Sequence, residues 1–174
     1  MKILALIHGF PPGLNAGGEY YMYNWFKWLV ERGHFVTVLI ADSTLIPYEI
    51  DGIRVDRDVY SVTKKELLTA DVVISHLNRQ GFACNVAEYN HKPLVIVQHN
   101  HNVFYTMQAK HKPNVHERWL YCVYNSQHVA DKCKYPNPSI IMHPPVYADR
   151  VKVNKKGTHI TLINCWDKKG GDVM

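Results

Sequence analysis

The sequence predicts an α/β protein organised as a doubly wound, mainly parallel sheet, and three observations carry that reading. The apolar runs Ile3-Leu4-Ala5-Leu6-Ile7 and Phe35-Val36-Thr37-Val38-Leu39-Ile40 are near-continuous, as strands covered on both faces must be. Between them lies a segment with the period of an amphipathic helix, which completes one strand–helix–strand unit. The first strand is joined to that helix by Pro11-Pro12-Gly13-Leu14-Asn15-Ala16-Gly17-Gly18-Glu19. Glycines let the backbone approach a ligand closely. A helix N-terminus adds unpaired N–H groups and partial positive charge, so this order of elements suits a phosphate-bearing, nucleotide-type ligand.

In the first helix Met22, Trp25, Phe26, Leu29 and Val30 recur at one-turn spacing, with Asn24, Lys27 and Glu31 on the other side and Lys27 placed to pair with Glu31. Gly33 stands where a helix-ending glycine is expected. In Tyr48-Glu49-Ile50-Asp51-Gly52-Ile53-Arg54-Val55 an Asp-Gly step flanked by apolar residues signals a hairpin, a small antiparallel excursion from the sheet. Later apolar runs read as further strands: Val72 to Ile74, Leu94 to Val97, Leu120 to Tyr124, Ile140 to Met142 and Ile160 to Ile163. Helices are expected over about Lys64 to Leu68, from Arg79 to about Tyr89, and from Ser126 as N-cap to about Lys132. That alternation is the doubly wound pattern. From His101 to about Arg118 the chain is polar, rich in His and interrupted by Pro113, and reads as a long loop over the ligand-bearing edge.

The 174 residues suffice for a full core, and the apolar content of 47% is that of a globular domain. A net charge of +5 with eleven His in reserve favours anionic partners such as a sugar nucleotide or an acidic membrane surface. The apolar run before His8 is too short for a signal segment and no later run approaches a membrane span, so a soluble cytoplasmic protein is expected, with peripheral contact at the inner membrane surface as a variant. Cys84, Cys122, Cys133 and Cys165 form no C-x-x-C pair and read as reduced core thiols. Tyr20, Tyr21 and Trp28 are aromatics that could pack on a sugar or a membrane if they are not in the core.

Taken in order, these residues resemble the N-terminal half of retaining glycosyltransferases with the GT-B fold, the large family-four group. The match runs from the strand, Pro-Pro-Gly and Ala16-Gly17-Gly18-Glu19 through Glu31-Arg32-Gly33-His34 and Ile50-Asp51-Gly52-Ile53. It continues with Asp71-Val72-Val73-Ile74-Ser75-His76, Val97-Gln98-His99-Asn100, Asn125-Ser126 and His143-Pro144-Pro145-Val146, and ends at Thr161-Leu162-Ile163-Asn164 and Lys168-Lys169-Gly170-Gly171. The resemblance implies a Rossmann-like, acceptor-side domain over residues 1–157. Residues 158–174 would then begin a truncated C-terminal donor-binding domain or add a strand. It further implies transfer of a sugar from a nucleotide-diphosphate sugar to a glycan, lipid or other hydroxyl acceptor, with retention, weak or absent without a C-terminal domain supplied in cis or by a partner chain. No cofactor, metal or nucleic acid enters that chemistry.

By the same resemblance His99 is the catalytic-site histidine near the transferred sugar, hydrogen-bonding a hydroxyl or developing charge. Gly17, Gly18 and Lys169 contact donor phosphate or sugar, while Glu19, His76, Asn125 and Ser126 are candidate acceptor or sugar contacts. Structural readings stand beside several of these: a tight turn for the glycines, a favourable dipole position for Glu19, a sheet-edge polar residue for His76 and a helix cap for Ser126. His99 and His101 form a His-x-His pair with no third ligand evident at metal spacing. The usual arginine shortly before the donor-phosphate lysine is missing, since Asn164-Cys165-Trp166-Asp167 stands there. Two other readings remain: a stand-alone glycan- or nucleotide-binding module without catalysis, and a dinucleotide enzyme, for which no G-x-G-x-x-G follows the first strand.

Overall fold

The computed structural model describes residues 1–100, 119–135 and 137–145. The loop expected over 101–118 and the linker, strand and Lys-Gly turn expected past residue 145 lie outside them. The elements run β1 (Lys2–Ile7), α1 (Gly17–Val30), β2 (Phe35–Ile40), β3 (Tyr48–Ile50), β4 (Ile53–Arg57), α2 (Tyr60–Thr69) and β5 (Val72–His76). A 3-10 turn (Leu77–Arg79) then leads into α3 (Gln80–Tyr89), followed by β6 (Leu94–Gln98), β7 (Leu120–Tyr124), α4 (Gln127–Cys133) and β8 (Ser139–Ile141).

The strands form one eight-stranded sheet in the order β3-β4-β2-β1-β5-β6-β7-β8. Every neighbouring pair is parallel except β3 with β4. This α/β arrangement is compatible with a Rossmann-like fold. From β1 the chain steps outward through β2 to β4, then returns across β1 to β5 and continues the other way, so the β1–β5 boundary is the point where strand order reverses. In β1 alternate side chains serve two cores. Ile3, Ala5 and Ile7 pack with Met22 and Phe26 of α1. Leu4 and Leu6 pack with Leu67 of α2 and with Ala83, Cys84 and Ala87 of α3. Covering both faces is why the strand had to be apolar throughout, and each large side chain so buried contributes about 1.5–3 kcal/mol.

The hairpin closes through Asp51 at φ 48° and Gly52 at φ 75°, the pair of left-handed residues that a tight two-residue turn needs. The turn leans on α1. Lys27 Nζ lies 3.2 Å from Asp51 Oδ1 and Tyr23 donates its hydroxyl to the same carboxylate, so Lys27 pairs with the hairpin rather than with Glu31. Asn24 also departs from its expected polar face: it is buried and donates Nδ2 to the Tyr20 carbonyl at 2.8 Å. Past α1 the chain winds out through Gly33 N–H to Val30 O (2.9 Å) and His34 N–H to Leu29 O (3.2 Å), with Gly33 at φ 79°. This is the Schellman closure that only a residue tolerant of left-handed backbone completes cheaply. Ser126 caps α4 as expected, its Oγ accepting from Val129 N–H at 3.3 Å. Cys84, Cys122 and Cys133 are thiols, the first two buried, while Cys165 lies outside the described residues. No helix among the described residues is long and apolar enough to cross a membrane.

Candidate functional site

Parallel strands all deliver their carboxyl ends to one edge of the sheet, and this edge collects the candidate residues. His8 follows β1, His76 ends β5, His99 follows β6 and Asn125 follows β7. The β1–α1 loop returns over them, because α1 begins at Gly17. A Cβ built on Gly18 would lie 3.4 Å from His99 Cδ2 and 3.7 Å from its Nε2, so the bare backbone of Gly18 rests against the imidazole. Gly17 has nothing within 4 Å of such a Cβ and is exposed. The glycine loop and the histidine therefore meet at one edge of the sheet, near the strand-order reversal where open α/β sheets take their ligands.

His99 is held by rings on two sides. His76 meets it edge to face with centroids 5.2 Å apart, and Tyr21 of α1 does the same at 5.0 Å. Its backbone is pinned as well, the carbonyl accepting from Asn125 Nδ2 at 2.9 Å while Asn125 N–H donates to Gln98 O at 3.1 Å. Behind them Gln80 Nε2 donates to Val97 O (3.1 Å), and Ser75 Oγ donates to Leu6 O (2.7 Å), tying β5 to β1. Leu77, directly after His76, sits at φ 51°, a left-handed conformation that a leucine adopts only where its surroundings enforce it.

Both imidazoles are neutral at physiological pH. Burial pushes the His76 value down to about 3, helped by the neighbouring His99 and His8, and burial alone pushes His99 down to about 4. His76 is fully buried. Neither of its ring nitrogens, nor Nε2 of His99, has a hydrogen-bond partner among the described residues. Leaving a buried polar atom unpaired costs about 1–3 kcal/mol, so such atoms mark places where a ligand or water completes the bonding. Neutral imidazoles beside the amides of a helix start can donate to, or accept from, hydroxyl and phosphate oxygens.

The remaining expectations separate. Glu19 is buried in the first turn of α1, where it is the sole acidic residue and the N-cap, Ala16, supplies no side-chain bond. Ser126 is accounted for by its cap and Asn125 by its hold on His99, while His143 Nδ1 lies 3.1 Å from Asn125 O. Lys169 lies outside the described residues. Of the three aromatics, Tyr20 and Trp28 are exposed, but Tyr21 is buried against His99, its hydroxyl donating to Met142 O at 3.0 Å. Among the described residues no group of three or more His, Cys, Asp or Glu is gathered as metal ligands.

Sequence reasoning passed over His8, although it carries the signal that singled out His99: a histidine immediately after a buried strand. The core packing expected for at least some of the three aromatics falls to Tyr21. The sequence matches no family model and no curated protein.

Proposed function

We propose that this chain forms the acceptor-side half of a glycosyltransferase that uses a nucleoside-diphosphate sugar as donor, the other half of a GT-B architecture supplying the nucleotide pocket. One observation carries the reading: the Gly18 backbone and the His99 ring lie side by side at the carboxyl edge of the sheet, beside buried imidazole nitrogens that have no partner among the described residues. In the reaction the bond between the anomeric carbon and the diphosphate oxygen breaks. A new bond to the acceptor oxygen forms on the same face, and the acceptor proton passes to the departing phosphate. The Gly17 and Gly18 amides stabilise charge growing on that leaving group, as preorganised donors at a helix start do. His99, being neutral, hydrogen-bonds a hydroxyl of the transferred sugar and keeps water from the reacting carbon.

The test has a binding arm and a turnover arm. Nucleoside-diphosphate sugars are titrated into isotope-labelled chain while the Gly17 and Gly18 amides and the His99 ring are followed by NMR, and nucleoside diphosphate release is measured with the gene's full-length product and a range of hydroxyl acceptors. Joint shifts of the three residues with release on acceptor addition are expected. Shifts without release from any donor would favour the non-catalytic binding module, and absence of both would end the reading.

A further inference from the structure

A cavity opens at the same edge of the sheet, lined in part by His8. It has a volume of about 820 Å3 and lies between the β1–α1 loop, the end of β2 and the edge strand β3. That size suits a small molecule. Its wall is mostly carbon, from Phe10, Leu14, Ile40, Leu45 and Ile50. Tyr48 presents only its ring, because its hydroxyl is committed to the Pro11 carbonyl at 2.6 Å. Leu14 is seated directly on Gly9, where an added Cβ would come within 2.6 Å of Leu14 Cδ2, so this wall is fixed by close packing. Besides Tyr48, the ionisable lining groups are His8, Asp42 and Glu49. Asp42 is held below the usual carboxylate range by the Thr44 hydroxyl and N–H, and is an anion at neutral pH.

We propose that this cleft binds the apolar portion of an amphipathic hydroxyl compound, uncharged or cationic, and that phosphorylated compounds are turned away by its two carboxylates. His8 lines the cleft and follows β1 at the same carboxyl edge of the sheet as His76 and His99. Calling that ligand the acceptor rests on the proposed transfer; the binding preference does not.

The experiment measures affinity of the 174-residue chain for three probes, phenyl glucoside, methyl glucoside and glucose 6-phosphate, by ligand-observed NMR. The phenyl compound is expected to bind about tenfold or more tighter than the methyl one, from the apolar area it buries. Glucose 6-phosphate is expected to bind weakest. Leu45→Asp should remove the phenyl advantage. Glu49→Lys, a change at an exposed edge-strand residue that leaves the core untouched, should raise affinity for the phosphate several-fold. Equal binding of phenyl and methyl glucoside, preference for the phosphate, absence of phenyl binding, or indifference to both substitutions would overturn the proposal. Phenyl binding without nucleoside diphosphate release from any donor would sink the transfer reading and leave the cleft standing; release without a phenyl preference would do the reverse.

Discussion

The buried neutral histidines make acid the most informative perturbation of this fold. In the unfolded chain an imidazole titrates near 6.5, whereas in the folded protein His99 is lowered to about 4 and His76 to about 3. The folded values are depressed, so below pH 6.5 the unfolded state takes up protons that the native state refuses. Stability is therefore complete above that value and is lost as pH falls towards the folded values. Each such group contributes a slope of about 1.4 kcal/mol per pH unit, which amounts to about 2 kcal/mol between pH 7 and pH 5. The pair together loses about 4 kcal/mol, an upper figure because His99 retains some solvent contact. The window is clean of the perturbed acids: Asp42, Asp51 and Asp56 are all lowered from 3.8 and stay ionised through it. Urea unfolding at pH 7, 6 and 5 should show this slope in the parent chain, and His76→Leu should reduce it by close to one proton. If the variant and the parent lost equal stability over that range, His76 would not be a neutral buried base, and the account of the site would be wrong.

Other consequences are local. Gly17→Ala should leave stability in urea unfolding unchanged, since nothing lies within 4 Å of its added Cβ. Gly18→Val instead places methyl groups beyond a Cβ already 3.4 Å from the His99 ring, and should abolish the ligand-induced shifts of His99 in NMR while the chain stays folded by circular dichroism. Ser126→Ala should cost about 1 kcal/mol in urea unfolding through loss of the α4 cap. Gly52→Ala meets both a left-handed φ of 75° and a Val30 methyl 2.8 Å from the new Cβ, so it should destabilise by more than about 1 kcal/mol, visible as a lowered Tm.

Much of the architecture was legible because each element announces itself locally. The near-continuous apolar runs gave β1, β2, β5, β6 and β7 within a residue or two. Asp51-Gly52 marked the hairpin because few other residues accept two consecutive left-handed conformations. Ser126 marked a helix start because a short hydroxyl side chain satisfies an N–H that the helix cannot. Among the misreadings the expected second helix was too short, Lys64 to Leu68 against the observed Tyr60–Thr69, while the two in α1 share one cause, since helical periodicity reports only which residues share a face. Asn24 turned inward because its amide could bond back to the Tyr20 carbonyl, and Lys27 left Glu31 because the hairpin carboxylate lay nearer.

The candidate site divides along the same line. That Gly18 opens the helix after the first strand and that His99 directly follows β6 could be read from the order of apolar runs, and parallel strands then had to bring them to a common edge. That they touch, that His76 and Tyr21 wall in the imidazole, and that His8 lines a cleft with Tyr48 and Leu45 depended on residues far apart in the chain meeting in space. The amino-acid order by itself determined the strands, helices and turns, because those arise from backbone sterics and from the apolar period of short segments. Only the tertiary structure decided the charge state of the histidines, because the depth of burial that keeps them neutral is set by the whole sheet and the helices packed on it.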